Sequence, residues 1–447
     1  MFKSPFAKRT CSIAIGAAVF VTLLAVHGCS PQSPSQEAPV DEVLTGDEGV
    51  LVRYLVPQWA SSSDRRVDRQ IAFQSVIDTF NSDPNGARVE EITGVVNQAS
   101  VAQAIGEGAV DAVWINTQWY VSLVSGGLLA DIDQYVSDEE LFDYFDWTLT
   151  ALRSVDGTLG CLWHNTDTPL LFYNSRRVRE PPKTWTELRQ IARQVRSETG
   201  KYGMSYPLRH WSQFNMGLFK AAGGDIVDDT GRPILFEGEN RALLAEMLDF
   251  YAELLADDLI PAQNATASHA DHLPGVYADD VYMFVSNSNA KIRSLEPNLP
   301  PNEIDDWRAA PIPMPDALDA GKYVAGGWLI CPVRNAQNPE REAAAVAWAL
   351  HATGARANTT TNKAGAWLPT RRSAYDVDPF FKSDPIQQTA SSALDQGGWP
   401  EPFVPIYPTI SAALNKAMSK IGSGQATTEQ ALNEAEAEIF RQYEAVR

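Results

Sequence analysis

Two rhythms of apolar and polar positions divide the chain. Val50 to Val56, VLVRYLV, is a nearly continuous run of β-forming residues, the pattern of a parallel strand buried on both faces. Beyond it, Phe73, Val76, Ile77 and Phe80 fall at i, i+3, i+4 and i+7 and predict a helix with one apolar face, capped by Ser63 or Asp64. A second strand is predicted over Arg88–Val95, a short helix near Val101–Ile105 and a third strand over Ala109–Asn116. Strand, helix, strand, helix, strand is the opening of a sheet wound with helices, so the fold class is α/β. Later helices carry their own start and stop signals. Thr184 and Glu187 form a capping box for a helix running to Gly200, and Asn338-Pro339 opens one that ends before Gly354. A stripe of Ile410, Leu414, Ala417 and Ile421 is closed by Gly422, and Thr427 with Gln430 opens the last helix. Shorter strands are predicted at Met204–Leu208, Val281–Val285, Trp307–Ile312 and Trp328–Cys331.

One stretch breaks the pattern. In GCLWHNTDTPLLFYNSRRV, Gly160 to Val178, the apolar runs Cys161–Trp163 and Pro169–Tyr173 flank HNTDT, which carries Asp167 and no glycine. A surface turn would explain it. So would a crossing between two lobes, where the chain lines a wet cleft. Open α/β sheets bind ligands beyond the carboxyl ends of their strands. Three such ends pair amides or acids with an aromatic: Gln58-Trp59 after the first strand, Asn116-Thr117-Gln118-Trp119-Tyr120 after the third, and Asn165, Thr166 and Asp167 after Trp163. Planar donors and acceptors beside an aromatic face are what the hydroxyls and the C–H face of a sugar need.

Composition narrows the choices. The 447 residues suit two or three ordinary domains or two large lobes. A net charge of -20 repels nucleic-acid phosphates and argues against DNA or RNA as a partner. There are 12 tryptophans, a surplus that fits a ligand pocket as well as a core. Of 4 cysteines, Cys11 and Cys29 lie near the start, leaving Cys161 and Cys331. These two are expected as buried free thiols, with a disulfide between them as the other reading for an exported chain; the absence of CxxC argues against a zinc ribbon or dithiol redox site. No G-x-S-x-G, Walker loop or G-x-G-x-x-G after a strand is present. His269 and His272, flanking Asp271, read as a solvated polar loop rather than a metal site. Asp131 with Asp133, and Asp305 with Asp306, read as solvated acidic turns rather than a glycosidase pair. No catalytic residue, metal or cofactor is assigned.

The start of the chain reads as a targeting segment. MFKSPFAKRT carries Lys3, Lys8 and Arg9, and the apolar Cys11–Val26 that follows is shorter than the about 20 residues of a membrane span but suits a signal peptide. Val26-His27-Gly28-Cys29 resembles the lipobox of bacterial lipoproteins, with His27 where a smaller residue is commoner. That resemblance implies a signal peptide over 1–28 and lipid on Cys29. Residues 29–49, rich in Pro, Ser, Gln and acid, read as a flexible tether.

Five segments then follow in order between Val110 and Asp376: VDAVWINTQWYVSLVSGGLLADID; GTLGCLWHNTDTPLLFYNSRRV with PPKTWTELRQIA; AAGGDIVDDTGRP; VAGGWLICPVRNAQNPEREAAAVAWAL; and LPTRRSAYD. Together they make the chain resemble the extracellular solute-binding lipoproteins of carbohydrate ABC transporters, the maltose-binding-protein-like family 1. The resemblance covers Val50 to Arg447. It implies a two-lobe periplasmic-binding-protein-like fold of type II with the ligand cleft between lobes. Lobe 1 would be 50–164 and 309–366, and lobe 2 would be 165–308 and 367–447. HNTDT would be the cleft floor at the first crossing, with Asp167 where the family places a ligand-binding acid or amide. Gln118 stands where relatives have an acid that binds sugar hydroxyls. Trp211 and Gln213 precede AAGG, where relatives place cleft side chains. Asn287 follows VYMFV, and Asn289 departs from the stacking Trp common there. Gly327-Trp328 matches a ligand-side loop, and Trp367 and Tyr407 lie near lobe-2 loops. With Gln58, Trp59, Asn116 and Trp119 from the strand ends, these residues form the expected binding site. Few Lys or Arg fall among them, which leans the ligand toward neutral sugars.

The function implied is that of a substrate-binding component of an importer. It would capture a sugar or oligosaccharide by lobe closure and deliver it to permease subunits. The protein would be an exported monomer, held to the membrane by its lipid anchor and facing the periplasm or the cell exterior. A secreted glycoside-acting enzyme and a structural surface lipoprotein are the alternatives.

Overall fold

The structure is a computed structural model and describes residues 49–84, 86–269, 271–316, 323–395 and 398–446. The signal peptide, Cys29 and all of the tether but Gly49 lie outside the described residues. The first β-forming run is strand β1 (Leu51–Pro57), followed by β2 (Arg88–Gly94) and β3 (Ala112–Asn116). All three run parallel, with β1 between the other two. The helix Val67–Phe80 buries Phe73, Val76 and Ile77 as its spacing predicts, but it starts later than expected. Ser63 and Asp64 do not cap it. Instead Asp64 is buried, accepts from the Arg66 N–H and pairs with the Arg69 guanidinium at 2.9 Å.

HNTDT is not a turn. Strands β4 (Leu162–Asp167) and β5 (Pro169–Asn174) are separated only by Thr168, so the chain runs extended out of one sheet and into another. The second sheet contains β5, β6 (Met283–Asn287) and β7 (Trp307–Ala310), in the order β6-β5-β7, all antiparallel. The chain then comes back through β8 (Tyr323–Pro332), which lies antiparallel between β3 and β4. β9 (Leu368–Pro369) pairs with β4, and β10 (Gly398–Pro400) with the start of β8. The expected strand Met204–Leu208 forms a single isolated bridge among the described residues, Ser205 to Phe284.

Each sheet has its own hydrophobic core. Val52, Val113, Trp114, Leu162, Leu329 and Ala345 belong to the first. Leu171, Trp211, Met283, Ile410 and Leu432 belong to a second, and Leu170, Phe172, Phe284 and Leu368 to a third packed on the other face of the small sheet. β8 spans the division, with Val324 in the second core and Leu329 in the first. The structure moves residues at the expected lobe limits. Ala309 and Ala310 pair with β5 of the second sheet rather than opening the return to the first. Trp367 and Phe403 pack in the first core, and Arg372 and Ser373 bond to Phe142 and Asp143, so part of 367–447 returns to lobe 1.

Cys161 and Cys331 form a disulfide, correcting the expectation of free thiols. The register shows why: Leu162 faces Ile330 across the β4–β8 pair, which sets the preceding and following residues opposite each other.

Candidate functional site

A cavity of about 500 Å³ opens between the two sheets. Its first wall is built on strand ends and helix starts of lobe 1. β1 ends in a short turn that carries Trp59, and the following helix begins with Arg66 and Arg69. β3 ends at Asn116, whose Nδ2 donates to the Gly327 carbonyl at 3.4 Å and whose Oδ1 accepts from the Gln118 N–H at 3.1 Å. Trp59, Trp328 and Trp367 make an indole wall: Trp59 meets Trp328 edge-on at 4.8 Å and Trp367 at 5.8 Å. Trp59 and Trp328 are half-buried, so faces of both reach the cavity.

The opposite wall is polar. Asp167 Oδ2 accepts from Asn287 Nδ2 at 3.0 Å and Oδ1 from Gln213 Nε2 at 3.3 Å, while Asn287 Nδ2 also donates to Gln213 Oε1 at 2.9 Å. Burial pushes the Asp167 carboxyl up to about 6, against the pull of the Arg293 charge and the two amide hydrogen bonds. Burial also pushes the His210 and His269 imidazoles down, to about 4 and about 3, so both are neutral at pH 7. Gln213 and Arg293 both sit on π-helical turns, Trp211–Met216 and Lys291–Leu295, a wide geometry that often marks working sites. Asn287 Oδ1 and Asn289 Oδ1 are buried acceptors with no hydrogen-bond partner among the described residues.

Close approach of backbone to side chain holds these walls together. A Cβ on Gly326 would lie 1.5 Å from Gln213 Nε2, and one on Gly327 would lie 2.0 Å from the Asn165 carbonyl oxygen. Gly327 also has φ +153, which an L side chain rarely adopts. A register shift at His164 sends that ring away from the cavity, to Thr361 Oγ1 at 3.1 Å. Thr166 Oγ1 donates to the Gly326 carbonyl at 2.8 Å. HNTDT is therefore polar for two reasons. Asp167 lines the cavity, whereas His164 and Thr166 satisfy buried partners across the sheet.

Of the expected site residues, the structure brings Trp59, Asn116, Asp167, Gln213, Asn287, Gly327, Trp328 and Trp367 to one cavity. It leaves out five. Gln58 is exposed and donates to the Ser63 carbonyl. Trp119 backs Trp328 edge-on at 6.0 Å. Trp211 is fully buried in the lobe-2 core. Gln118 and Tyr407 line a smaller neighbouring cavity of about 210 Å³ together with Phe403 and Glu401. The turn after β3 explains Gln118: Asn116 faces the cavity, and two residues on the chain has turned outward.

Sequence reasoning missed Arg66, Arg69, His210, His269, Arg293 and Glu401. The three arginines correct the expectation of a cleft poor in cations. Arg66 and Arg69 lie at the start of the helix after β1 and Arg293 on the turn after β6, beyond the strand ends that the sequence singles out. Glu401 stands alone in WPEPFVP, is 3% exposed and is pushed by burial up to about 7. His269 and His272 do not sit on a solvated loop: His272 is buried, and its Nε2 faces the Val285 carbonyl at 3.0 Å.

Known proteins resemble this chain in sequence and in fold. A family profile described as bacterial extracellular solute-binding protein matches residues 75–389. A maltotriose-binding protein of Pyrococcus abyssi is 27% identical over 188 residues, 42% of this chain; the match spans 40% of that relative's own length. Among solved structures, a cyclic alpha-maltosyl-1,6-maltose binding protein from Arthrobacter globiformis superposes with a TM-score of 0.71 at 20% identity, covering 88% of this chain and 98% of that one. A putative oligosaccharide periplasmic-binding protein from Synechococcus gives 0.73 at 16% identity, covering 88% and 99%. These likenesses show a two-lobe periplasmic-binding-protein fold. With the family match extending over most of its length, the chain belongs to the bacterial extracellular solute-binding proteins, an exported family.

Proposed function

We propose that the protein is the substrate-binding component of an ABC importer, capturing a sugar or oligosaccharide by lobe closure and handing it to membrane permease subunits. One observation carries this reading: an indole wall and a carboxyl–carboxamide wall face each other across a single cavity between two lobes. Indole faces suit sugar C–H faces. The unpartnered Asn287 Oδ1 and Asn289 Oδ1 suit hydroxyl donors. The names of the relatives, a maltotriose-binding and a cyclic maltosyl-maltose binding protein, support the same ligand class. We read the role as binding rather than turnover because the chain belongs to a solute-binding family.

The rest of the organisation follows the sequence. A signal peptide over 1–28 is removed, Cys29 carries lipid, and 29–49 tethers a monomeric body to the membrane. Replacing Cys29 by Ala should release the protein from the membrane fraction. The direct test is a sugar panel against the full chain, read as a shift in melting temperature. A ligand at a hundred times its Kd stabilises by about 2.7 kcal/mol. Melting curves unmoved by every saccharide would refute the proposal, and so would recovery of the bound sugar in cleaved form.

A further inference from the structure

We propose that the captured sugar carries an anionic substituent — carboxylate, phosphate or sulfate — seated between Arg66 of lobe 1 and Arg293 of lobe 2; this rests on the saccharide reading above. Four charged residues outside the histidines line the cavity: Arg66, Arg69 and Arg293 against Asp167. In a chain of net charge -20, that local excess of cations runs against the composition of the whole. All three are Arg, whose planar fork matches oxyanions in a way the Lys point charge does not.

The three are not equivalent. Arg69 is paired with the buried Asp64 at 2.9 Å, and its guanidinium lies 5.8 Å from the Trp367 ring. Arg66 holds the exposed Asp68 at 2.7 Å through Nη2, and its Nη1 reaches across the cleft to the Ile292 carbonyl at 3.3 Å. That carbonyl belongs to the residue just before Arg293. Arg293 is exposed and has no acid at ion-pair distance among the described residues. Its charge is felt at Asp167, His210 and His269, so it sits against the inner wall and not on a remote surface. Closing the lobes thus brings guanidinium groups from opposite sides to the same edge of the cavity. Like charges drawn together repel, and an anion between them reverses the sign of that interaction. The neutral imidazoles of His210 and His269 add donors without adding an acid.

Calorimetric titration of the full chain with matched pairs tests this. Trehalose against trehalose 6-phosphate tests phosphate, galactobiose against digalacturonate tests carboxylate, and lactose against lactose 6′-sulfate tests sulfate. At least one anionic member should bind tenfold or more tighter than its neutral partner. Arg293→Gln should remove that preference, weakening the anionic member of the pair tenfold or more and its neutral partner by clearly less. Because Arg293 is exposed, this variant should keep the melting temperature of the parent. Arg66→Gln should weaken both kinds of ligand, through loss of its cross-cleft bond, and the anionic kind more. Neutral members binding as tightly as their anionic partners, or Arg293→Gln weakening both equally, would overturn the inference and leave the saccharide reading standing. Binding of no member of any pair, with melting curves also unmoved by every saccharide of the panel, would overturn both.

Discussion

Asp167 shows how one side chain can be read two ways. Its carboxyl is buried, yet two carboxamides donate to it and a guanidinium lies near. Burial prevails, raising the group from its ordinary 3.8 to about 6. A carboxyl whose folded value is raised contributes stability that is complete below about pH 4 and lost as pH rises through 6. Asp167→Asn cannot titrate, so its melting temperature should gain on that of the parent between pH 4 and 6.5 and then hold a constant lead. A shift of this size corresponds to roughly 2–3 kcal/mol. A lead that does not change with pH would mean that Asp167 ionises as freely folded as unfolded. For ligand binding the same residue predicts the opposite outcome at neutral pH. Asp167→Ala removes the acceptor that orients Gln213 and Asn287, and sugar affinity should fall by about 1.5–3 kcal/mol, the worth of a charge-assisted hydrogen bond. Glu139→Ala, an exposed acid on the far helix Asp138–Leu141, should bind like the parent.

Strands β4 and β8 together make the frame on which the cavity hangs, and two neighbouring glycines of β8 should fail differently. At Gly326 the atom in the way is the end of the flexible Gln213 side chain. Gly326→Ala should fold normally but swing Gln213 off Asp167, lowering sugar affinity about tenfold, the worth of one hydrogen bond. At Gly327 the obstacle is the Asn165 carbonyl, part of the paired strand, and Gly327→Ala should lower the urea midpoint instead. The Cys161–Cys331 bond closes a loop of 170 residues across the same pair. By loop entropy alone, replacing both by Ala should cost at most about 5 kcal/mol of stability, measured by urea unfolding with and without reductant for the parent. Much of this frame was legible beforehand. The apolar runs of β1, β3, β4 and β5 gave their strands, and the break at HNTDT gave the crossing. The partner of Cys161 was not legible, because it depends on β8 returning antiparallel beside β4 from far along the chain. Arg66 and Arg293 escaped for a related reason. They sit on a helix start and a π-helical turn, where no periodicity says which way a side chain faces. Trp211 erred in the other direction, since an indole next to cleft residues packs a core equally well.

Seen as a whole, the molecule is two packed lobes joined by extended strands, and its motion follows from that. β4 into β5 and β8 cross between the lobes as extended segments, so small backbone rotations near Thr168 and Gly326 can move one lobe against the other while each core stays packed. Taking such a pair of lobes from 1:99 closed to 99:1 requires a ligand to favour the closed form by about 5.5 kcal/mol. The walls described above supply groups from both sides. The indoles and Asn116 belong to one lobe, and Asp167, Gln213, Asn287 and Arg293 border the other, so only the closed form engages all of them at once. The indoles also report the event. Trp59 and Trp328 are half-buried and should lose water when a sugar is clamped over them, shifting tryptophan emission to shorter wavelength. Trp211 is fully buried in lobe 2 and should not respond. Titration with whichever sugar raises the melting temperature should therefore give a blue shift. Trp59→Phe and Trp328→Phe should each weaken that shift strongly, and Trp211→Phe should leave it intact. A shift that survives both cleft substitutions would place the closing surfaces elsewhere than between these two walls.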